Sequence, residues 1–219
     1  MKRAIICFTR VPKPGATKTR LLPILSGNQC AELHTAFLQD LCEVYDRMDA
    51  DLFVAYTADP DWETLKAIFP FAKGFFPQEG ADLGEKMYHA IGRVLGMGYD
   101  AAVLTGADLP LMTAEHLESG FAGLENADIT IGPTSDGGYY LIGMKSSHEE
   151  VFRVSGYGGA TALENTLSAA KQAGLKIALS LACDDVDTPE DLRRLGCQFS
   201  PESATFRYLQ QLKKEGVSL

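Results

Sequence analysis

A three-layer α/β fold with a mostly parallel central sheet is the architecture this sequence predicts, and three observations carry it. Short β-rich apolar runs alternate with longer segments whose apolar residues recur at three- and four-residue steps. One of the short runs, Ala101–Leu104, is wholly apolar, as strands buried on both faces of a parallel sheet are. The chain has 219 residues, 46% hydrophobic and 22% charged, enough to bury one generous core. Residues 1–219 are therefore expected to form a single domain, with no repeat, low-complexity tract or linker.

The elements follow in order. Ala4–Thr9 is a strand that ends in a loop containing two prolines and a glycine. Gln29–Met48 reads as a helix, with Phe37, Leu38, Leu41, Val44, Tyr45 and Met48 on one face. Leu52–Thr57 is the next strand, and Asp59-Pro60 supplies a capping side chain before a proline, predicting a helix start. Ala72–Phe76 is a short third strand. Asp82-Leu83-Gly84-Glu85 reads as a capping box opening a helix through Leu95. Ala101–Leu104 ends in Thr105-Gly106-Ala107-Asp108-Leu109-Pro110, and no element is assigned between that loop and Asp128. Asp128–Ile131 and Tyr139–Met144 are two strands around the turn Ser135-Asp136-Gly137-Gly138. A helix over Thr161–Ala173 stops at Gly174, Lys176–Leu181 is a late strand, Thr188-Pro189 caps a helix, and a last helix covers Pro201–Lys214.

Composition excludes several classes. Twenty basic against 29 acidic side chains give a formal charge of −9, which argues against a broad nucleic-acid surface. No apolar run approaches the about 20 residues of a membrane span, and Ala4–Phe8 is too short for a signal-peptide core. The five cysteines are scattered and never form a C-x-x-C pair, so a reducing cytoplasm is the expected location. Glycine does not stand before Lys18, so Gly15–Thr19 is no P-loop. There is no H-E-x-x-H and no G-x-S-x-G, and Gly156–Gly159 does not follow a strand.

Charge is nevertheless unevenly placed. Residues 1–31 hold Lys2, Arg3, Arg10, Lys13, Lys18 and Arg20 and no acid, whereas Asp184, Asp185, Asp187, Glu190 and Asp191 crowd one turn. The loop Thr9–Arg20 leaves the carboxyl end of a strand, where open α/β sheets bind ligands. Its glycine, Gly15, admits backbone amides to a phosphate, and Lys13, Lys18 and Arg20 bring charge. The competing reading is a solvated basic loop. Asp108 follows a buried strand at the same sheet edge, and Asp187 precedes a helix cap that does not require it. Two such acids from separate strands could hold one Mg²⁺ or Mn²⁺. For Asp108 the alternative is a turn aspartate bonding its own backbone.

In this order, Pro14-Gly15-x-x-Lys18-Thr19-Arg20-Leu21, Asp82-Leu83-Gly84-Glu85-x-Met87, Gly106-x-Asp108-x-Pro110, Asp136-Gly137-Gly138-Tyr139-Tyr140-Leu141-Ile142-Gly143 and Asp185-x-Asp187-Thr188-Pro189-x-Asp191-Leu192 resemble the nucleotide-diphospho-sugar transferase superfamily, with its glycosyltransferase-A-like fold. More closely, the chain resembles the bacterial DUF2064 family. The resemblance implies that Thr9, Arg10, Lys13, Gly15, Lys18 and Arg20 cradle nucleotide phosphates, and that Leu83 and Gly84 lie against base or ribose. It implies metal binding by Asp108 and Asp187, and an acceptor side bordered by Asp136, Gly137, Gly138 and Tyr139. A tryptophan usual in the family near position 157 is replaced by Gly156-Tyr157-Gly158, and Ala81 stands where glycine is common.

The activity so implied is glycosyl transfer from a nucleotide sugar to a small acceptor, with Asp108, Lys18, Arg20 and Asp136 as the catalytic set. Asp136 is the one candidate for a general base. The alternative is nucleotidylyl transfer, in which a phosphorylated small molecule attacks a nucleoside triphosphate and pyrophosphate leaves. The three cations of the first loop suit a triphosphate. A third reading is a nucleotide-binding module without turnover. A homodimer is the base-rate expectation for assembly.

Overall fold

The computed structural model describes residues 1–218. Seven strands form one sheet: β1 (Arg3–Thr9), β2 (Asp51–Tyr56), β3 (Gly74–Pro77), β4 (Ala101–Thr105), β5 (Ile129–Pro133), β6 (Tyr139–Met144) and β7 (Ile177–Leu179). Their order is β3-β2-β1-β4-β6-β5-β7. Only β6 runs against its neighbours, pairing antiparallel with both β4 and β5; every other pairing is parallel. The helices are α1 (Gly27–Asp46), α2 (Thr64–Ile68), α3 (Leu83–Leu95), α4 (Ala114–Asn126), α5 (Ala162–Gln172), α6 (Pro189–Leu195) and α7 (Ala204–Lys214). No helix among the described residues is long and apolar enough to cross a membrane.

Strand alternation divides the core. Ile5, Cys7 and Val103 point to one face, where Leu38, Leu41 and Tyr45 of α1 and Leu117 and Phe121 of α4 cover them. Ala4, Ile6 and Ala102 point to the other face, under Met87, Ile91 and Val94 of α3 and Ala170 of α5. All five residues of β4 are buried: Ala101–Leu104 are apolar, and the Thr105 hydroxyl is hydrogen-bonded to Tyr45 OH at 2.8 Å. A third cluster joins Leu21 and Leu33 to Val186, Leu192, Leu209 and Leu212. The Asp40 carboxylate of α1 accepts from the Ala204 and Thr205 amides at 2.6 and 3.0 Å, capping α7 against α1. Two loops far apart in sequence, 18–21 and 185–188, are thereby fixed on one packed base.

Several expectations shift. α4 was assigned no element, because Gly120 and Gly123 depress helix propensity. In the fold they are contact points. A Cβ on Gly123 would stand 2.7 Å from Thr130 Oγ1, and one on Gly120 would be 3.2 Å from the Leu141 side chain. α2 begins at Thr64, not at Pro60: Asp59 does accept from the Asp61 amide (2.8 Å), but the chain then runs through i→i+3 turns, Trp62 N to Asp59 O and Thr64 N to Asp61 O, before the helix proper. Only half of the capping box at Asp82 forms. Asp82 accepts from the Glu85 amide, but the Glu85 carboxylate reaches Ala81 N instead. β7 ends at Leu179 and α7 starts at Ala204, each shorter than expected. At Thr188 the box is complete, with Asp191 returning to Thr188 N at 2.9 Å.

Candidate functional site

α1 follows β1 over one face and α3 precedes β4 over the other, so the carboxyl ends of β1 and β4 open a crevice between diverging loops. The crevice has two connected halves. The larger, of ≈ 670 Å³, lies over the loop after β1 and includes Thr9, Arg10, Thr17, Lys18, Arg20, Lys86 and Asp187. The smaller, of ≈ 270 Å³, lies beside the β5–β6 turn and includes Met87, Asp136, Gly138, Tyr139, Tyr157 and Asp185. Phe8, Leu83, Ala107 and Asp108 belong to both.

Lys18 stands at their junction. It is the only non-glycine residue with positive φ (51°) among the described residues, a conformation that costs an L side chain about 1–2 kcal/mol. The strain is held by what the side chain reaches. Its Nζ donates to Val186 O at 2.7 Å and pairs with Asp108 Oδ1 at 2.5 Å and Asp187 Oδ1 at 3.1 Å. Only 2% of the side chain is exposed, and the ammonium lies 4.9 Å from the Phe37 ring centroid. Arg20 Nη1 pairs with Asp187 Oδ2 at 3.3 Å. The backbone closes the same circuit, because the Val186 amide donates to Asp108 O at 2.9 Å. The two acids singled out in the sequence thus come together around one lysine.

His34, on buried α1, approaches Asp108 Oδ1 through Nδ1 at 3.5 Å, while its Nε2 faces Thr9 Oγ1 at 3.2 Å. Desolvation raises the Asp108 carboxyl, but the Lys18 ammonium and then His34 outweigh it and hold the group well below the usual carboxylate range. Asp185 behaves oppositely. Burial, then repulsion from Asp187, Asp136 and Asp108, pushes its carboxyl up to about 6. Sequence reasoning passed over both Asp185 and His34. The first was one acid among many, and the second a single histidine in a helix; neither carries a local signal.

The remaining residues divide. Lys13 turns away from the crevice, its Nζ held at 2.6 Å by both Asp59 and Asp61. This corrects its expected place beside Lys18: the strongest local partners of Lys13 sit on the loop after β2. Gly15 has φ of 73° and shapes the loop without lining the crevice. Gly84 also lines neither half; a Cβ there would strike Phe152 O and the Tyr157 ring, so glycine seats α3 on that segment. Gly137, with φ of 89°, abuts Ala160 O. Asp136 Oδ1 accepts from Thr134 Oγ1 at 2.5 Å and Gly138 N at 3.0 Å, which sets the turn.

No group of three or more His, Cys, Asp and Glu side chains is arranged to hold a metal ion among the described residues. The donor chemistry nonetheless fits a hard divalent cation. Asp108 and Asp187, drawn together around Lys18, are the hard oxygen donors such an ion takes, and the repulsion that Asp185 feels from Asp187, Asp136 and Asp108 is what it would relieve.

Comparison with known proteins bears on the family and the fold. Residues 35–158 match the family described as "Uncharacterized protein conserved in bacteria (DUF2064)". The chain is 26% identical to the 2-phospho-L-lactate guanylyltransferase of Methanocaldococcus jannaschii, across 89% of this chain and 83% of that one. It superimposes on a provisionally assigned nucleotide-diphospho-sugar transferase of Desulfovibrio desulfuricans G20 with a TM-score of 0.88 and 33% identity, covering 98% and 96% of the two chains. The inositol-1-phosphate CTP transferase of T. maritima shares the fold, with a TM-score of 0.54, 14% identity and coverage of 100% and 98%.

Proposed function

The chain belongs to the DUF2064 family, and from that premise we propose that it is a nucleotidylyltransferase joining a nucleoside triphosphate to a small phosphorylated acceptor. The coarser statement, a nucleotide-using transferase, rests on the relatives. The finer one rests on a single observation: Lys18 is locked by Asp108 and Asp187 at the junction of a large cationic half and a small second half. A cation fixed at the boundary between two substrates suits the atom that passes between them, the α-phosphorus.

In this reading the triphosphate occupies the larger half, with Arg10, Lys18 and Arg20 toward its oxygens. The acceptor occupies the smaller half with its phosphate directed at the junction. One phosphate oxygen attacks the α-phosphorus, the bond from that phosphorus to the β-bridging oxygen breaks, and pyrophosphate leaves with the electron pair. The ammonium of Lys18 and the guanidinium of Arg20 offset the charge that gathers on the α- and β-oxygens. No proton must be removed from an ionised phosphate, so this chemistry makes no demand on Asp136 as a base. Asp108 and Asp187 would hold Mg²⁺ or Mn²⁺, which when bound draws charge from the triphosphate oxygens.

The test is thermal stability against a panel of nucleoside triphosphates and nucleotide sugars with Mg²⁺ or Mn²⁺, followed by pyrophosphate release. A bound nucleotide raises stability by about 2.7 kcal/mol at a hundredfold excess over Kd. A metal-dependent shift with one triphosphate, absent in Asp108→Asn, is the expected result. A shift with a nucleotide sugar alone would transfer the reading to glycosyl transfer.

A further inference from the structure

Resting on that reading, we propose that the smaller half of the crevice selects an acceptor carrying a cationic group: a small phosphorylated amine. Its charged lining is one-sided. Asp108, Asp136 and Asp185 face it, and no lysine, arginine or histidine does among the described residues. Asp108 is answered from the other half by Lys18. Asp136 is bonded by a hydroxyl and a backbone amide, neutral donors that leave its charge in place. The neighbouring Asp184 shows the contrast: it is not part of this lining and is paired with Arg194 at 2.7 Å. Two carboxylates, Asp136 and Asp185, therefore meet the cavity without a basic partner.

The walls point the same way. Phe8, Tyr139 and Tyr157 line the half, and aromatic faces attract an ammonium through their quadrupoles. An acceptor bearing a carboxylate besides its phosphate, as the phospholactate named for the relatives does, would set that group against like charge. A molecule with phosphate at one end and ammonium at the other satisfies both ends. The phosphate meets Lys18 and Arg20 at the junction, and the ammonium meets Asp136, Asp185 and the rings. A volume of ≈ 270 Å³ restricts it to a small compound.

Titration calorimetry of the full chain with Mg²⁺, alone and with an α,β-methylene nucleoside triphosphate, compares O-phosphoethanolamine with phosphoglycolate. The amine should bind about tenfold tighter or more, the discrimination that like-charge rejection commands. Asp136→Asn and Asp185→Asn should each reduce that preference while the thermal midpoint stays near wild type. Equal binding, tighter phosphoglycolate binding, or no binding of either probe overturns the proposal. It is overturned as well if Asp185→Asn weakens the triphosphate and leaves the amine unaffected. Triphosphate binding without amine preference removes this proposal alone; amine preference without triphosphate binding removes the nucleotidylyl reading and keeps the subsite.

Discussion

The two halves of the crevice handle charge in opposite ways. In the larger half two cations of the loop after β1 are fixed by acids: Lys18 by Asp108 and Asp187, and Arg20 by Asp187. In the smaller half Asp136 and Asp185 meet the cavity with no cation beside them. Pairing immobilises a charge, and a fixed, pre-oriented dipole array stabilises a developing charge without reorganising. An unpaired charge instead attracts whatever complements it. One half is built to hold position and the other to choose.

The sharpest attack on this contrast is Asp108→Asn, which removes the carboxylate shared by both halves. Pyrophosphate release should fall by about a hundredfold or more, with circular dichroism unchanged. Retained turnover would mean the junction is not where chemistry occurs. Next comes Lys18→Met, which leaves Asp108 and Asp187 facing one another. Denaturant unfolding should show a loss of about 1–3 kcal/mol, and nucleotide affinity should fall about tenfold. Gly137→Ala sharpens the contrast from the other side. With φ of 89° and Ala160 O in the path of a Cβ, it should cost about 1–3 kcal/mol. It should also weaken the acceptor while nucleotide binding, measured by calorimetry, is spared. The smallest effect belongs to Lys13→Ala. Its ion pairs lie outside the crevice, so nucleotide Kd should move less than about twofold. A larger loss would return Lys13 to the phosphate site.

The last case shows where sequence reasoning stops. Lys13, Lys18 and Arg20 look alike in a basic loop, and what separates them is the company each finds: Asp59 and Asp61 for one, Asp108 and Asp187 for the others. Those partners are remote in sequence: β2 and β4 carry Asp59, Asp61 and Asp108 to the sheet edge beside β1, and the third core cluster, through Val186, brings Asp187 to Lys18. Strands were legible because β1, β4 and β6 carry uninterrupted apolar residues whose burial leaves no other choice. α4 was not, because Gly120 and Gly123 serve close packing on Leu141 and Thr130 at the expense of local propensity. Asp108 was visible through the buried strand before it and Asp187 through the helix cap after it; Asp185 and His34 acquire meaning only from neighbours that folding supplies.

The reversal of β6 has a consequence for how such proteins diversify. Because β6 alone runs backwards, it starts at the sheet edge where the parallel strands end. The chain therefore reaches the smaller half as a short hairpin, residues 134–138, and not as the root of a crossover helix. A hairpin tip can be lengthened, shortened or recoded without moving a helix or changing strand order. The larger half has no such freedom, since Lys18 is tied through Asp108 and Val186 to three parts of the chain at once. A change at the tip of this one turn can therefore reshape the smaller half alone, whereas a change at Lys18 is felt on both sides of the junction.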